Sequence, residues 1–334
     1  MPGNDAAEPP PPADLSGLFD RRLLLVSGKG GTGKTTVAAA CAMAAARTGR
    51  RVLLAEVEGR GGAFDLLELP RTGFEERRTR FGFSILGITA RDALLEYLWL
   101  FFRMKALSRT LARAQVLETV TDGVPGFRDL MVAGKLYELT AWRATSRERE
   151  AAERVAYDLV VVDAPPVGQV LGMLRSPGAY RGVIRGGRAG RQVESIEQLF
   201  REYTRLVLVA TPEEMAVAET LESTEALAAD GFDPPSVVAN RVRPPVFPAG
   251  TRAVGLRLSP ERLRDVLAGA GQEVDGAAAE WLIRAARDED ARVHAEARYL
   301  SELRAGLHLP LVATERFGPR EVEGLADRVL EAAA

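Results

Sequence analysis

Apolar residues in this chain collect in short unbroken runs, separated by longer stretches of helical periodicity. The first run is Leu23 to Val26 (LLLV), and a second, RVLLAEV, starts at Arg51. Further runs lie at Phe83 to Ile88, Leu159 to Val162, Leu206 to Val209, Ser236 to Ala239 and Leu309 to Val312. None alternates with polar residues, which is how strands covered on both faces read. Helical stretches lie between them, as crossovers between parallel strands require. The stretch TTVAAACAMAAARTG, for example, predicts a helix ending at Gly49. The expected fold is therefore α/β, a doubly wound and mostly parallel sheet.

Two blocks are almost wholly helical in pattern, about 90–155 and about 251–305. The first is far longer than one crossover helix needs and reads as a helical insert. With no clean linker, residues 20–334 read as one domain carrying these elaborations. Residues 1–19 are acidic and Pro-rich and read as a disordered tail. They lack the basic-then-apolar pattern of a signal peptide, and the apolar stretch ALLEYLWLFF (93–102) is too short to span a bilayer. The expected location is cytoplasmic, without membrane insertion.

Charge and cysteine content narrow the chemistry. A net charge of -2 and a pI near 6.0 give no electrostatic footprint for nucleic acid. Cys41 is the single cysteine, which excludes a disulfide framework, an iron–sulfur ligand set and an intrachain CxxC zinc site. It lies in the run AAACAMAAA and reads as a small buried side chain. Lysine usage is the unusual feature. Of 44 basic residues only Lys29, Lys34, Lys105 and Lys135 are lysine, and two of these share the loop SGKGGTGKTT. In a chain so rich in arginine, two lysines there point to a need for a compact, flexible ammonium group.

Gly28, Gly33, Lys34 and Thr35 match G-x-x-x-x-G-K-[ST], with a strand before and a helix after. Such a loop turns backbone N–H groups toward phosphate oxygens, aided by the positive helix N-terminus. The loop residues Gly28, Gly30, Gly31, Thr32, Gly33, Lys34, Thr35 and Thr36 are thus the candidate ATP cradle. Lys34 reaches the terminal phosphates, and the Thr35 hydroxyl is a magnesium ligand. Asp163, at the end of the strand in DLVVVDAPPVGQ, suits the carboxylate that holds Mg2+, usually through water.

The run KGGTGKTT (29–36) resembles the deviant Walker A motif of the MinD, ParA and ArsA group of dimeric P-loop ATPases. The stretch DAPPVGQVLGML resembles the second switch of the ArsA family, with Gln169 and Val167 where that family has histidine and threonine. LVLVATPEEMAVAETLE (206–222) and SVVANRV (236–242) fit the same family. VLLAEVEGRGG, TDGVPGFRDLMVAGKLYEL and VVVDAPP are most similar to one member of the paired actinobacterial paralogues. The resemblance spans roughly residues 22–319 and implies an ArsA-type, anion-transporting or tail-anchored-targeting-like ATPase. It implies that Lys29 reaches a neighbouring subunit's nucleotide, so that the chain acts as a homodimer or as a heterodimer with a paralogue. It also implies that Glu58 stands where an aspartate orients the attacking water, and that Asn240 hydrogen-bonds adenine. A hydrophobic client protein, met by helices near ALLEYLWLFFRMKAL, is a further implied partner; a helix buried in the core is the other reading of that stretch.

Three functions remain open from the sequence. The first is a magnesium-dependent ATPase that uses nucleotide-driven shape change to handle a client. The second is a nucleotide-gated chaperone or regulatory subunit that hydrolyses little, since Glu58 is one methylene longer than the family's aspartate. The third is a ParA-like partitioning ATPase, for which no basic stripe is visible. An arsenite pump subunit would need clustered thiolates, which one cysteine does not supply.

Overall fold

The computed structural model describes residues 14–59, 61–102, 126–141, 157–181 and 186–334. Strand β1 (Leu23–Gly28) lies near the middle of an eight-stranded sheet, with β5 (Leu159–Asp163) on one side and β6 (Thr204–Ala210) on the other. Beyond β5 follow β2 (Val52–Val57), β4 (Ser84–Ile88) and the two-residue β3 (Arg77–Arg78). Beyond β6 follow β7 (Ser236–Val242) and β8 (Leu307–Pro310). All pairings are parallel except β3 with β4. The strand order reverses direction at β1, and in open α/β sheets ligands bind at that point, outside the strands' carboxyl ends.

Both faces of the sheet are covered, which is why the strand runs do not alternate. Leu24 and Val26 of β1 face α1 (Lys34–Arg47) and α11 (Pro319–Ala333), whose Val322, Leu325 and Val329 join the same core. Leu23 and Leu25 face the opposite core, built from α4 (Phe127–Ala141), α5 (Val167–Arg181) and α6 (Gly187–Glu202). In α1 the side chains from Val37 to Ala45 are all buried. A helix of alanines can lie close to the strands beneath it, and Cys41 occupies one such position. The thiol is pushed up to about 12 by burial.

Two further groups of helices lie within 90–155 and 251–305. In the first lie α3 (Ala90–Phe102) and α4, while 103–125 and 142–156 fall outside the described residues. Lys135 of α4 is buried and donates to Glu96 of α3 and to Glu138, 3.2 Å away. Its ammonium also lies 4.9 Å from the Phe74 ring centre. This explains the charge that interrupts the apolar run: Glu96 meets a buried cation. On α3, Ala93 and Leu94 are buried, so the first turns of this helix belong to the core. The second elaboration comprises α8 (Arg252–Leu256), α9 (Pro260–Gly269) and α10 (Gly276–Leu303). Between the two blocks lies α7 (Glu214–Ala229), and the short α2 (Gly62–Leu66) follows β2.

One boundary needs correction. Residues 14–19 are not part of a loose tail: Leu15, Leu18 and Phe19 are buried in the core beside α1. The Asp14 carbonyl accepts hydrogen bonds from Arg205 and from Ser236 Oγ, at 2.5 and 3.0 Å. Three apolar side chains with a place to pack outweigh the composition around them. Residues 1–13 lie outside the described set.

Candidate functional site

The loop between β1 and α1 ends in Gly33, whose φ of 92° sets the left-handed turn into the helix. No side chain caps α1 and its first turn holds no acid, so its leading N–H groups and positive end are left to the loop. Inside the loop, Thr32 Oγ1 and Lys34 Nζ both donate to the Lys29 carbonyl, at 2.9 and 3.1 Å. Asn240, buried at the end of β7, donates from Nδ2 to the Thr32 carbonyl at 2.8 Å. A Cβ on Gly33 would stand 2.3 Å from that nitrogen, whereas Cβ atoms on Gly30 and Gly31 would meet open space. The cradle is thus braced from behind and open in front.

Across the cleft stands β5, ending in Asp163. Burial pushes the Asp163 carboxyl up to about 6, against the opposing pull of the Thr35 hydroxyl. Lys34 is half-buried, and this desolvation holds its ammonium below the usual lysine value although Asp163 acts the other way. Ser27 Oγ donates to the Pro165 carbonyl at 2.7 Å, tying the base of the glycine loop to the turn that leads into α5. Lys34, Thr35, Glu56, Glu58, Asp163 and Gln169 all line one cleft of about 450 Å3.

Glu58 lies in this cleft but its carboxylate is engaged. Oε1 accepts from the Ala90 amide at the start of α3, at 2.7 Å, and Oε2 from Arg128 Nη2, at 2.8 Å. Its backbone sits at φ 52°, a conformation that costs a non-glycine residue energy and recurs at functional sites. Lys29 points elsewhere: its ammonium pairs with Glu219 of α7 at 2.7 Å. The structure therefore brings Lys34, Thr35, Glu58 and Asp163 together, sets Asn240 behind the loop, and ties Lys29 to its own chain.

Sequence reasoning missed Glu56, Arg128 and Glu219. Glu56 had a signal, a charged residue inside an otherwise apolar strand. Arg128 and Glu219 had none, because each meets its partner only through the tertiary fold.

The residues fit the ligands that the loop implies. An uncapped helix N-terminus with a half-buried lysine suits a polyphosphate, and Thr35 with Asp163 gives hard oxygen donors for Mg2+. Among the described residues, no group of three or more His, Cys, Asp or Glu is placed to hold a metal alone. A cation here would draw its remaining ligands from phosphate and water, as magnesium commonly does. No helix among the described residues is long and apolar enough to cross a membrane.

Residues 21–199 match the model of the anion-transporting ATPase (ArsA) family. ATPase BagA of Mycobacterium tuberculosis is 38% identical over 236 residues, covering 69% of this chain and 67% of that protein. An arsenical pump-driving ATPase of Escherichia coli is 24% identical over 244 residues, 66% of this chain and 39% of that protein. The chromosome-partitioning ATPase Soj of Thermus thermophilus is 31% identical over 150 residues, 44% of this chain and 46% of that protein. The glycine loop, the β5 carboxylate opposite it and the extent of this match together mean that the chain belongs to the anion-transporting ATPase (ArsA) family of P-loop ATPases.

Proposed function

We propose that the chain binds ATP with magnesium, hydrolyses it, and does so as one half of a dimer that closes around nucleotide. The observation that carries this is the uncapped α1 N-terminus facing one cleft with Lys34, Thr35 and Asp163. When bound, Mg2+ neutralises charge on the phosphates and orients them. Lys34, on leaving the Lys29 carbonyl, supplies a mobile cation to the terminal phosphates. Thr35 and Asp163 would hold the ion. Asn240 spends its amide nitrogen on the loop and offers its carbonyl oxygen to the adenine amino group.

Glu58 orients the attacking water, and for this it must leave Arg128 and the Ala90 amide. Lys29 must likewise leave Glu219 before it can reach a partner's nucleotide. Both rearrangements belong to dimer closure in this reading, which makes nucleotide state and shape interdependent. The second subunit is another copy or a paralogue. A hydrophobic client is the cargo that the family likeness suggests. Metalloid transport is not proposed, because the sole thiol is buried and held protonated.

A second reading, a nucleotide-gated binding subunit with little turnover, is favoured by the engaged state of Glu58. Steady-state phosphate release, measured for the chain alone and with its paralogue, separates the two. Turnover that disappears in Glu58→Ala while ATP binding persists supports the enzyme. ATP binding without turnover in either setting selects the binding subunit, and undiminished turnover in Glu58→Ala removes Glu58 from the reaction.

A further inference from the structure

Glu56 is a carboxylate where a strand should not have one. It sits in β2 between Ala55 and Val57, 4% exposed, and its register partner on β5 is Asp163. Burying a charge costs several kcal/mol on the order-of-magnitude scale unless partners offset it. One oxygen has partners: Oε1 accepts from the Gly61 and Gly62 amides, each at 2.9 Å. The other, Oε2, is shut off from solvent and has no hydrogen-bond partner among the described residues. Glu56 lines the same cleft as Thr35 and Asp163, with Asp163 as its register neighbour on the next strand.

Bracing the loop explains only half of this group. A neutral acceptor would hold the Gly61 and Gly62 amides equally well, and it would not set a second buried negative charge next to Asp163. Two neighbouring carboxylates with one orphaned oxygen become favourable together when a proton or a cation offsets their charge, and only a hydrated cation also brings new donors. A hydrated Mg2+ beside Thr35 supplies both the positive charge and the O–H donors that Oε2 lacks.

We propose that Glu56 is a second carboxylate of the cation site: on ion binding Oε2 turns out of its buried position to the ion's water shell, while Oε1 keeps that shell tied to the backbone of Gly61 and Gly62. The proposal rests on the ATP–magnesium reading above. It adds a positioning residue and a physical link between the ion and the loop that follows β2. An ion that orders Glu56 thereby orders this loop, whose start carries Glu58.

The test uses Glu56→Gln, which keeps an acceptor for the two amides and removes the charge. Mn2+ binding to the full chain is read by electron paramagnetic resonance with a non-hydrolysable ATP analogue, and analogue binding is read separately in EDTA. The variant is expected to bind Mn2+ ten- to one-hundred-fold more weakly, the range for lost outer-shell partners, with metal-free analogue affinity within about twofold of wild type. Unchanged Mn2+ affinity, or an equal loss in EDTA, overturns the proposal. Should the variant fail to fold, the wild type decides: Mg2+ added to the bound analogue must slow hydrogen exchange at Gly61 and Gly62, and no slowing refutes the link. A wild type that binds no metal–nucleotide at all sinks the ATP reading itself, a result distinct from a wild type that binds normally beside an unaffected Glu56→Gln.

Discussion

Substituting alanine for either Gly31 or Gly33 separates backbone strain from the contact that braces the cradle. Both residues hold left-handed backbone, at φ 88° and 92°. Alanine there costs about 1–2 kcal/mol through its Cβ, partly offset by about 0.4–1 kcal/mol from a less flexible unfolded chain. Gly31→Ala adds nothing more, since its Cβ meets open space. Gly33→Ala drives a methyl to 2.3 Å from Asn240 Nδ2, so the buried amide must leave the Thr32 carbonyl. Leaving buried polar groups unpaired costs about 1–3 kcal/mol further. The expected losses are therefore about 1 kcal/mol for Gly31→Ala and about 2–4 kcal/mol for Gly33→Ala, measured by urea unfolding without nucleotide. In an Asn240→Ala background the obstacle is gone, and Gly33→Ala should cost no more than Gly31→Ala. The double-mutant cycle should thus return a coupling of about 1–3 kcal/mol between positions 33 and 240. Equal losses for the two glycines, or a coupling below about 0.5 kcal/mol, would refute the idea that Asn240 supports the loop.

Two further outcomes follow from the Lys29 pair and from Cys41. Lys29→Ala should reduce ATP-dependent dimerisation in sedimentation runs more than it reduces ATP binding in titrations; equal loss of both removes the cross-interface role. Glu219→Gln frees Lys29, and because partly exposed ion pairs contribute about 0.2–1 kcal/mol, the dimer should tighten by no more than about fivefold. Weaker dimerisation would show that Glu219 itself serves the interface. Cys41, with its thiol raised to about 12, stays protonated as pH rises through 8 to 10 and should resist alkylation in the native chain across that range. Labelling at the rate of a free thiol before unfolding would contradict its burial.

The central strands were legible because burial on both faces leaves an unbroken apolar run, and the glycine loop because its spacing is dictated by the phosphates. β3 carried no signal: two exposed arginines joined to the sheet edge by antiparallel pairing do not look like a strand. β8 begins at Leu307, two residues before the apolar run, because backbone pairing with β7 extends past the hydrophobic positions. Residues 14–19 were obscured by the prolines before them. In the site, Glu58 attracted notice through family likeness, while Glu56 carried the stronger physical oddity, a charge within a buried strand. The Lys29–Glu219 pair joins residues far apart in sequence on α7 and the loop, so no local pattern could reveal it. Arg128, reaching Glu58 from α4, is the same case.

Central to everything above is a triphosphate seated at the α1 N-terminus with Lys34 on its terminal phosphates. Calorimetric titration of the full chain with magnesium-ATP, alone and with its paralogue, tests this directly, with Lys34→Ala as the comparison. One saturable nucleotide per chain, weakened at least about tenfold by the substitution, is the predicted result (about 1.4 kcal/mol). Absence of binding in both settings, or equal affinity in wild type and Lys34→Ala, would contradict it.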